Sequence, residues 1–186
     1  IRGAGEILGA KQHGHINSIG FDMYCQIIKE EVEKLKGIAV EKDINVQIEL
    51  SVSAYIPKNY IKNENETINI YRLLADFKDE IEVKNTVDSL QERYGNIPEV
   101  LGNLINISKI KMLAKKAGIE KVVFRKGKGT VLRKVDLTSK KAESLKSESE
   151  KYEYRSRTRE LLLKGSPKKP DLDLVLEFLN DIISFI

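Results

Sequence analysis

No tryptophan occurs among the 186 residues, cysteine occurs once, methionine and histidine twice each, and proline four times. The lone Cys25 excludes an internal disulfide and suits a reducing compartment, so a cytoplasmic location is expected. No run of about 18 apolar residues is present, which excludes a membrane helix, and no membrane partner is expected. The polar, glycine-rich start does not read as a signal peptide. Position 1 is Ile rather than Met, which fits a piece of a longer protein. His13 and His15 stand two residues apart and cannot share a helix face. With no Cys or carboxylate cluster beside them, no metal site is expected. Both lie in the N-terminal segment, and no nucleophile-and-base set is visible, so no catalytic residues are assigned.

What is present describes an ordinary globular chain. Hydrophobic residues make up 41% and charged residues 32%, which argues against disorder. The net charge of +4 is the small excess of 32 basic over 28 acidic residues, and it permits a nucleic-acid partner without demanding one. Phe21, Tyr24, Ile28, Val32 and Leu35 recur at steps of three and four, which predicts a helix from about Asn17 to Lys36. From Ile44 to Val52 the apolar period becomes two, the mark of a strand with one buried face. Ala54 to Ile61 is expected to run extended over the surface. Three helices are predicted next: Glu64 to Phe77 with Ile68, Tyr71 and Leu74 inward, Glu80 to Tyr94 on Val83, Val87 and Leu90, and Pro98 to Gly118 as the central helix. Pro98 is expected at the first helical position.

Ile119 to Arg125 and Thr130 to Val135 flank Lys126-Gly127-Lys128-Gly129, a hairpin signal. A charged helix (Thr138 to Glu150), a second hairpin (Tyr152 to Arg155 with Arg159 to Leu163) and an amphipathic helix from Leu172 to Ile186 complete the reading. The expected class is α+β: a small antiparallel sheet built from one strand and two hairpins, packed against several helices, with an N-terminal helical extension.

Arg2, Gly3, Gly5, Gly9, Gln12 and Gly14 crowd the first fourteen residues. Each Gly inside a helix costs about 1 kcal/mol relative to Ala, so something other than local stability accounts for them. A phosphate loop is excluded by spacing, since Leu8 and Ala10 stand where a second glycine is required. A dinucleotide fingerprint is excluded because Leu8 replaces its third glycine and no strand precedes it. Between Lys109 and Lys134 ten basic residues face a single acid, Glu120. Lys115, Lys116, Arg125, Lys126 and Lys128 are the possible phosphate contacts there, for nucleic acid or an acidic partner, although a solvated basic face explains the composition better. Phe124 is the only aromatic in that stretch, which argues against a single-strand stacking platform.

The opening motif, continued by Ile19-Gly-Phe-Asp-Met-Tyr24, resembles the end of the translocation motif of RecG-like DNA motors. With Val46 to Ile61, Tyr71-Arg72-Leu73, Glu92-Arg93-Tyr94-Gly95 and Lys109 to Ile119, the whole chain resembles the C-terminal part of the bacterial transcription-repair coupling factor family. The resemblance implies residues 1–37 as the tail of a translocase motif, 38–45 as a linker and 46–186 as the C-terminal regulatory domain. It implies that Arg2 and Gln12 belong to an element coupling ATP hydrolysis to movement on duplex DNA. ATP and Mg would serve the longer motor, with no cofactor in this piece. It further implies that the regulatory domain packs on an N-terminal UvrA-binding domain, with Glu92 at the contact, while RNA polymerase, UvrA and duplex DNA are partners of the longer protein. Ser89, one turn before Glu92, stands where the family leads one to expect an acid. The alternative is a basic module gripping duplex DNA through the Lys109–Lys134 region.

Overall fold

The structure, a computed structural model, describes residues 46–133, 151–165 and 169–185. The glycine-rich motif, the helix from Asn17 to Lys36, the 38–45 linker and the charged helix from Thr138 to Glu150 lie outside the described residues. The chain enters through strand β1 (Gln47–Leu50), then helices α1 (Glu64–Ala75), α2 (Glu80–Tyr94) and α3 (Glu99–Lys116). A hairpin of β2 (Ile119–Arg125) and β3 (Lys128–Arg133) follows, then β4 (Tyr152–Arg155), β5 (Glu160–Lys164) and the terminal helix α4 (Asp171–Phe185).

Local chemistry accounts for the helix boundaries. Asn63 accepts from the Glu66 amide at the start of α1, and Asp79 accepts from the Glu82 amide at the start of α2. Glu82 reaches back to the Lys78 amide (2.9 Å), closing a variant of the capping box one residue further out. Pro98 is the residue before α3 rather than its first, and it contributes no side-chain cap. On α1 the buried residues are Ile70, Tyr71 and Leu74, while Ile68 is half-buried.

The fold class is α+β, as expected, but the sheet is mixed. Its order is β1-β2-β3-β5-β4, and β1 pairs with β2 in parallel, Gln47 opposite Lys121 and Leu50 opposite Phe124. The remaining pairings are antiparallel. The reason is the crossover: three helices separate β1 from β2, so the chain returns to enter the sheet in the same direction. The first hairpin turns on two residues, not four, because Arg125 pairs directly with Lys128. Lys126 and Gly127 both have positive φ (51° and 74°), the signature of a type I′ turn.

Residues 51–57 belong to no helix or strand, and they do not run over the surface. Ala54 and Ile56 are buried, as is Ile61 further on, while Ser51 and Tyr55 are exposed. Backbone and side-chain bonds hold the segment in place: Tyr55 N donates to Val100 O, Ile56 N to the Tyr71 hydroxyl, and Asn103 Nδ2 to Ser53 O. The alternation of a strand thus continues beyond β1 without a ladder.

One core unites the described residues. Helix α3 is its centre and packs against α1, α2, α4 and β2. It buries Leu101, Leu104, Ile107 and Ile110 almost completely, and the same core takes in Ile48, Ile119, Phe124 and Leu179. Each such side chain contributes about 1.5–3 kcal/mol by leaving water. The terminal helix is also tied to the first hairpin: the Asp171 carboxylate accepts from the amides of Lys126 (2.9 Å) and Gly127 (2.8 Å). Among the described residues no helix is long and apolar enough to cross a membrane.

Candidate interaction surface

Two surfaces carry the residues singled out from sequence. The first is the outward face of α2. Val83, Thr86, Val87 and Leu90 point toward the core or its margin, so residues two positions away lie on the opposite side. Glu92 is on that opposite side and exposed, as are Ser89 and Asp88. Asp88 stands four residues before Glu92 and therefore on the same face. Ile81 completes the ridge. It is 70% exposed, and eleven residues of helix bring it back to nearly the azimuth of Glu92, about 16 Å along the axis. An apolar anchor and two carboxylates thus share one solvent-facing ridge.

The C-terminal end of this ridge is braced from below. The Tyr60 hydroxyl donates toward the carbonyls of Leu90 (3.1 Å) and Gly95 (3.0 Å), at the end of the helix. Its ring lies 5.5 Å from that of Tyr94, tilted by 51°. Arg93 sits 5.0 Å over the Tyr94 ring and pairs with Glu66 of α1. The Tyr94 hydroxyl is buried beside the Glu66 carboxylate. Burial pushes its pKa up, and the neighbouring Glu66 carboxylate adds to the shift. In return the Tyr94 hydroxyl, ahead of Arg93, holds the Glu66 carboxyl below its ordinary value. Burial also raises Tyr60. Arg93, adjacent to Glu92 in sequence, is thereby committed to α1 and does not neutralise the ridge.

The second surface is the basic stretch, which folding divides. Lys109 pairs with Glu80 (3.0 Å) and Lys121 with Glu49 (2.7 Å), while Arg125 lies 3.9 Å from the same Glu49. Lys115 and Lys116 belong to the last turn of α3, whereas Lys126 belongs to the hairpin turn and Lys128 opens β3. The length of β2 separates these groups by about 20 Å. The five possible phosphate contacts are exposed or half-exposed, but they do not converge on one site. Arg2, Gly3, Gly5, Gly9, Gln12 and Gly14 lie outside the described residues. Sequence reasoning missed Ile81 and the Tyr60–Tyr94–Glu66 brace. Ile81 was detectable as an apolar residue out of step with its helix stripe; the brace joins segments too distant for any local signal.

A five-stranded mixed sheet covered by helices is the fold of a known class of domain. The chain is similar to the crystal structure of the C-terminal domain of a transcription-repair coupling factor, with a TM-score of 0.61 and 20% identity, over 75% of this chain and 94% of that one. The chain belongs to the TRCF domain family, whose sequence model matches residues 50–146. It is 37% identical over 150 residues to the transcription-repair-coupling factor of Staphylococcus haemolyticus, covering 80% of this chain and 12% of that protein. The corresponding proteins of Borreliella burgdorferi and Bacillus subtilis are each 38% identical over 122 residues, covering 66% and 64% of this chain. Of their own lengths, 11% and 10% are covered, so the chain spans about a tenth of each of these relatives.

Proposed function

We propose that this chain is the C-terminal regulatory part of a longer transcription-repair coupling translocase. In that role it does no chemistry of its own and holds the resting protein closed. The observation that carries this reading is the ridge of α2. Its exposed Ile81, Asp88 and Glu92 lie on a helix braced against the core at its far end, and the sequence resemblance implies a contact at Glu92. The partner is the N-terminal UvrA-binding domain of the same longer protein, which would offer arginines to the two carboxylates. Exposed ion pairs contribute only about 0–1 kcal/mol each, so a contact built from two of them and one apolar anchor is strong enough to close and weak enough to open. Opening would then expose the surface that recruits UvrA. RNA polymerase and duplex DNA remain partners of the longer protein, and ATP and Mg belong to its motor.

Two measurements test this. Purified chain is expected to hydrolyse no ATP with or without DNA, and DNA-stimulated turnover would contradict the non-catalytic role. Titration calorimetry of the chain against the isolated N-terminal domain is expected to give weak binding that Glu92→Arg abolishes. Undiminished binding by that variant would remove Glu92 from the contact.

A further inference from the structure

In the β3–β5 ladder Lys128 stands directly opposite Lys164. The Gly165 amide donates to Gly127 O (2.8 Å) in the neighbouring pair, so the two lysines form a non-hydrogen-bonded pair, the kind whose side chains lie closer. Directly opposed residues share a face of the sheet, and like charges so placed destabilise it. Arg125 faces Lys128 from β2 and extends the row to three cations on three adjacent strands, with Lys126 in the turn beside them. The row lies on the face away from the core, since Phe124, Val131 and Leu163, in the opposite phase of their strands, are buried. Lys126, Lys128 and Lys164 are exposed, and among the described residues none of them forms an ion pair.

The acids around the row are committed to other groups. Glu49 of β1 binds Lys121 (2.7 Å) and lies 3.9 Å from Arg125. Glu153 of β4 pairs with Arg155 (3.2 Å), and Glu160, at the far end of β5, accepts from the Thr158 hydroxyl (2.9 Å). On α4, Asp171 accepts from the two turn amides, while Asp173 and Glu177 act on Lys169, whose ammonium is 2.8 Å from Glu177. Lys151, bonded through its carbonyl to the Lys164 amide, acts on Glu177 and adds nothing to the row. Asp171 beside the turn offsets part of the Lys126 charge, and Glu49 part of the Arg125 charge. The uncompensated centre of the row is therefore the Lys128–Lys164 pair.

We propose that this row takes backbone phosphates of duplex DNA. A local rule is broken where Lys128 opposes Lys164, and such breaks concentrate at functional sites. Strand spacing of about 4.8 Å makes the row of three about 10 Å long. One strand of a duplex carries a phosphate about every 3.4 Å of its axis, so about three phosphates lie along that length. The two central cations are lysines, point charges that suit phosphate, and the one guanidinium, Arg125, sits at the end of the row beside Glu49. Phe124 is buried on the other face of β2 and presents no ring to an unpaired base, which favours a duplex over a single strand. Contacts of this kind position the backbone and read no sequence. Lys164 lies outside the basic stretch of the sequence, and the β3–β5 pairing alone brings it to Lys128. DNA binding here requires nothing of the α2 ridge.

The test is fluorescence anisotropy of a labelled duplex of about 20 base pairs with the full chain, repeated from about 50 to about 200 mM salt. Affinity of about micromolar order is expected at the lower salt, with log K falling against log salt at a slope of about −3 for three phosphate contacts. Lys128→Gln/Lys164→Gln is expected to flatten that slope by about two and to weaken binding at low salt by about tenfold or more. Because it relieves two opposed like charges, this variant is expected to melt no lower than the parent chain. Either substitution alone is expected to remove about one unit of slope, a readout that remains if the double variant fails to fold. Lys78→Gln/Lys116→Gln, at the exposed ends of α1 and α3, is expected to leave slope and affinity unchanged. An unchanged slope in the Lys128 and Lys164 variants, or an equal loss in the Lys78/Lys116 variant, would overturn the row as the site. Equal competition by polyglutamate and by unlabelled duplex would overturn DNA as its ligand.

Discussion

Gly129 sits opposite Phe124 in the β2–β3 pair, and the ring lies across the place a side chain would occupy. A Cβ at Gly129 would fall 2.0 Å from a carbon of that ring. Since Phe124 is buried in the core, the ring has nowhere to retreat without displacing its neighbours. Gly129→Ala is therefore expected to cost about 1–3 kcal/mol, the range for overpacking, as read by urea denaturation. Glu66 supplies a second prediction at this scale. Its carboxyl is held below the ordinary value of 4.5, chiefly by the Tyr94 hydroxyl. A depressed folded-state pKa means stability that is present above the unfolded value and lost as pH falls through the folded one. The difference in melting temperature between the parent chain and Glu66→Gln should thus be largest above about pH 5 and shrink steadily below it. A difference that grows on acidification would contradict the brace.

At the scale of elements, the first hairpin and α4 stand or fall together. Asp171 satisfies two turn amides at once, and Gly165 N donates to Gly127 O (2.8 Å) from the other side. Asp171→Ala is expected to cost about 1–3 kcal/mol in denaturant titration, because both amides lose a charged acceptor. Lys126 occupies a left-handed position that an Asn tolerates better, so Lys126→Asn should stabilise the chain by a few tenths to about 1 kcal/mol. The elements that sequence placed well are those with a local cause. Helix α2 begins and ends at Glu80 and Tyr94 because Asp79 caps it and Gly95 stops it. The second hairpin likewise follows from its own alternation. What escaped depends on distant pairing. Nothing local says that β1 lies parallel to β2, or that Ala54 and Ile56 are covered by helices arriving later in the chain.

At the scale of the whole molecule, the same division runs through the functional surfaces. Glu92 could be singled out as a candidate because its motif is contiguous, Glu92-Arg93-Tyr94-Gly95 at a helix end. The basic stretch was legible as composition, but its geometry was not, since β2 carries one half away from the other. Lys78 joins the lysines of α3 only through the packing of the α1–α2 connector on α3, and Asp88 shares a face with Glu92 only through helical phase. The molecule that results has an acidic ridge with one apolar anchor on α2 and a row of cations across the hairpin end of the sheet.

The central claim is that the ridge holds a longer coupling factor closed. The most direct test is UvrA binding by the full-length protein with Glu92→Arg, measured beside the unsubstituted protein by surface plasmon resonance. The account predicts tighter UvrA binding by the variant, with its unfolding profile preserved. Equal binding by the two proteins would contradict it.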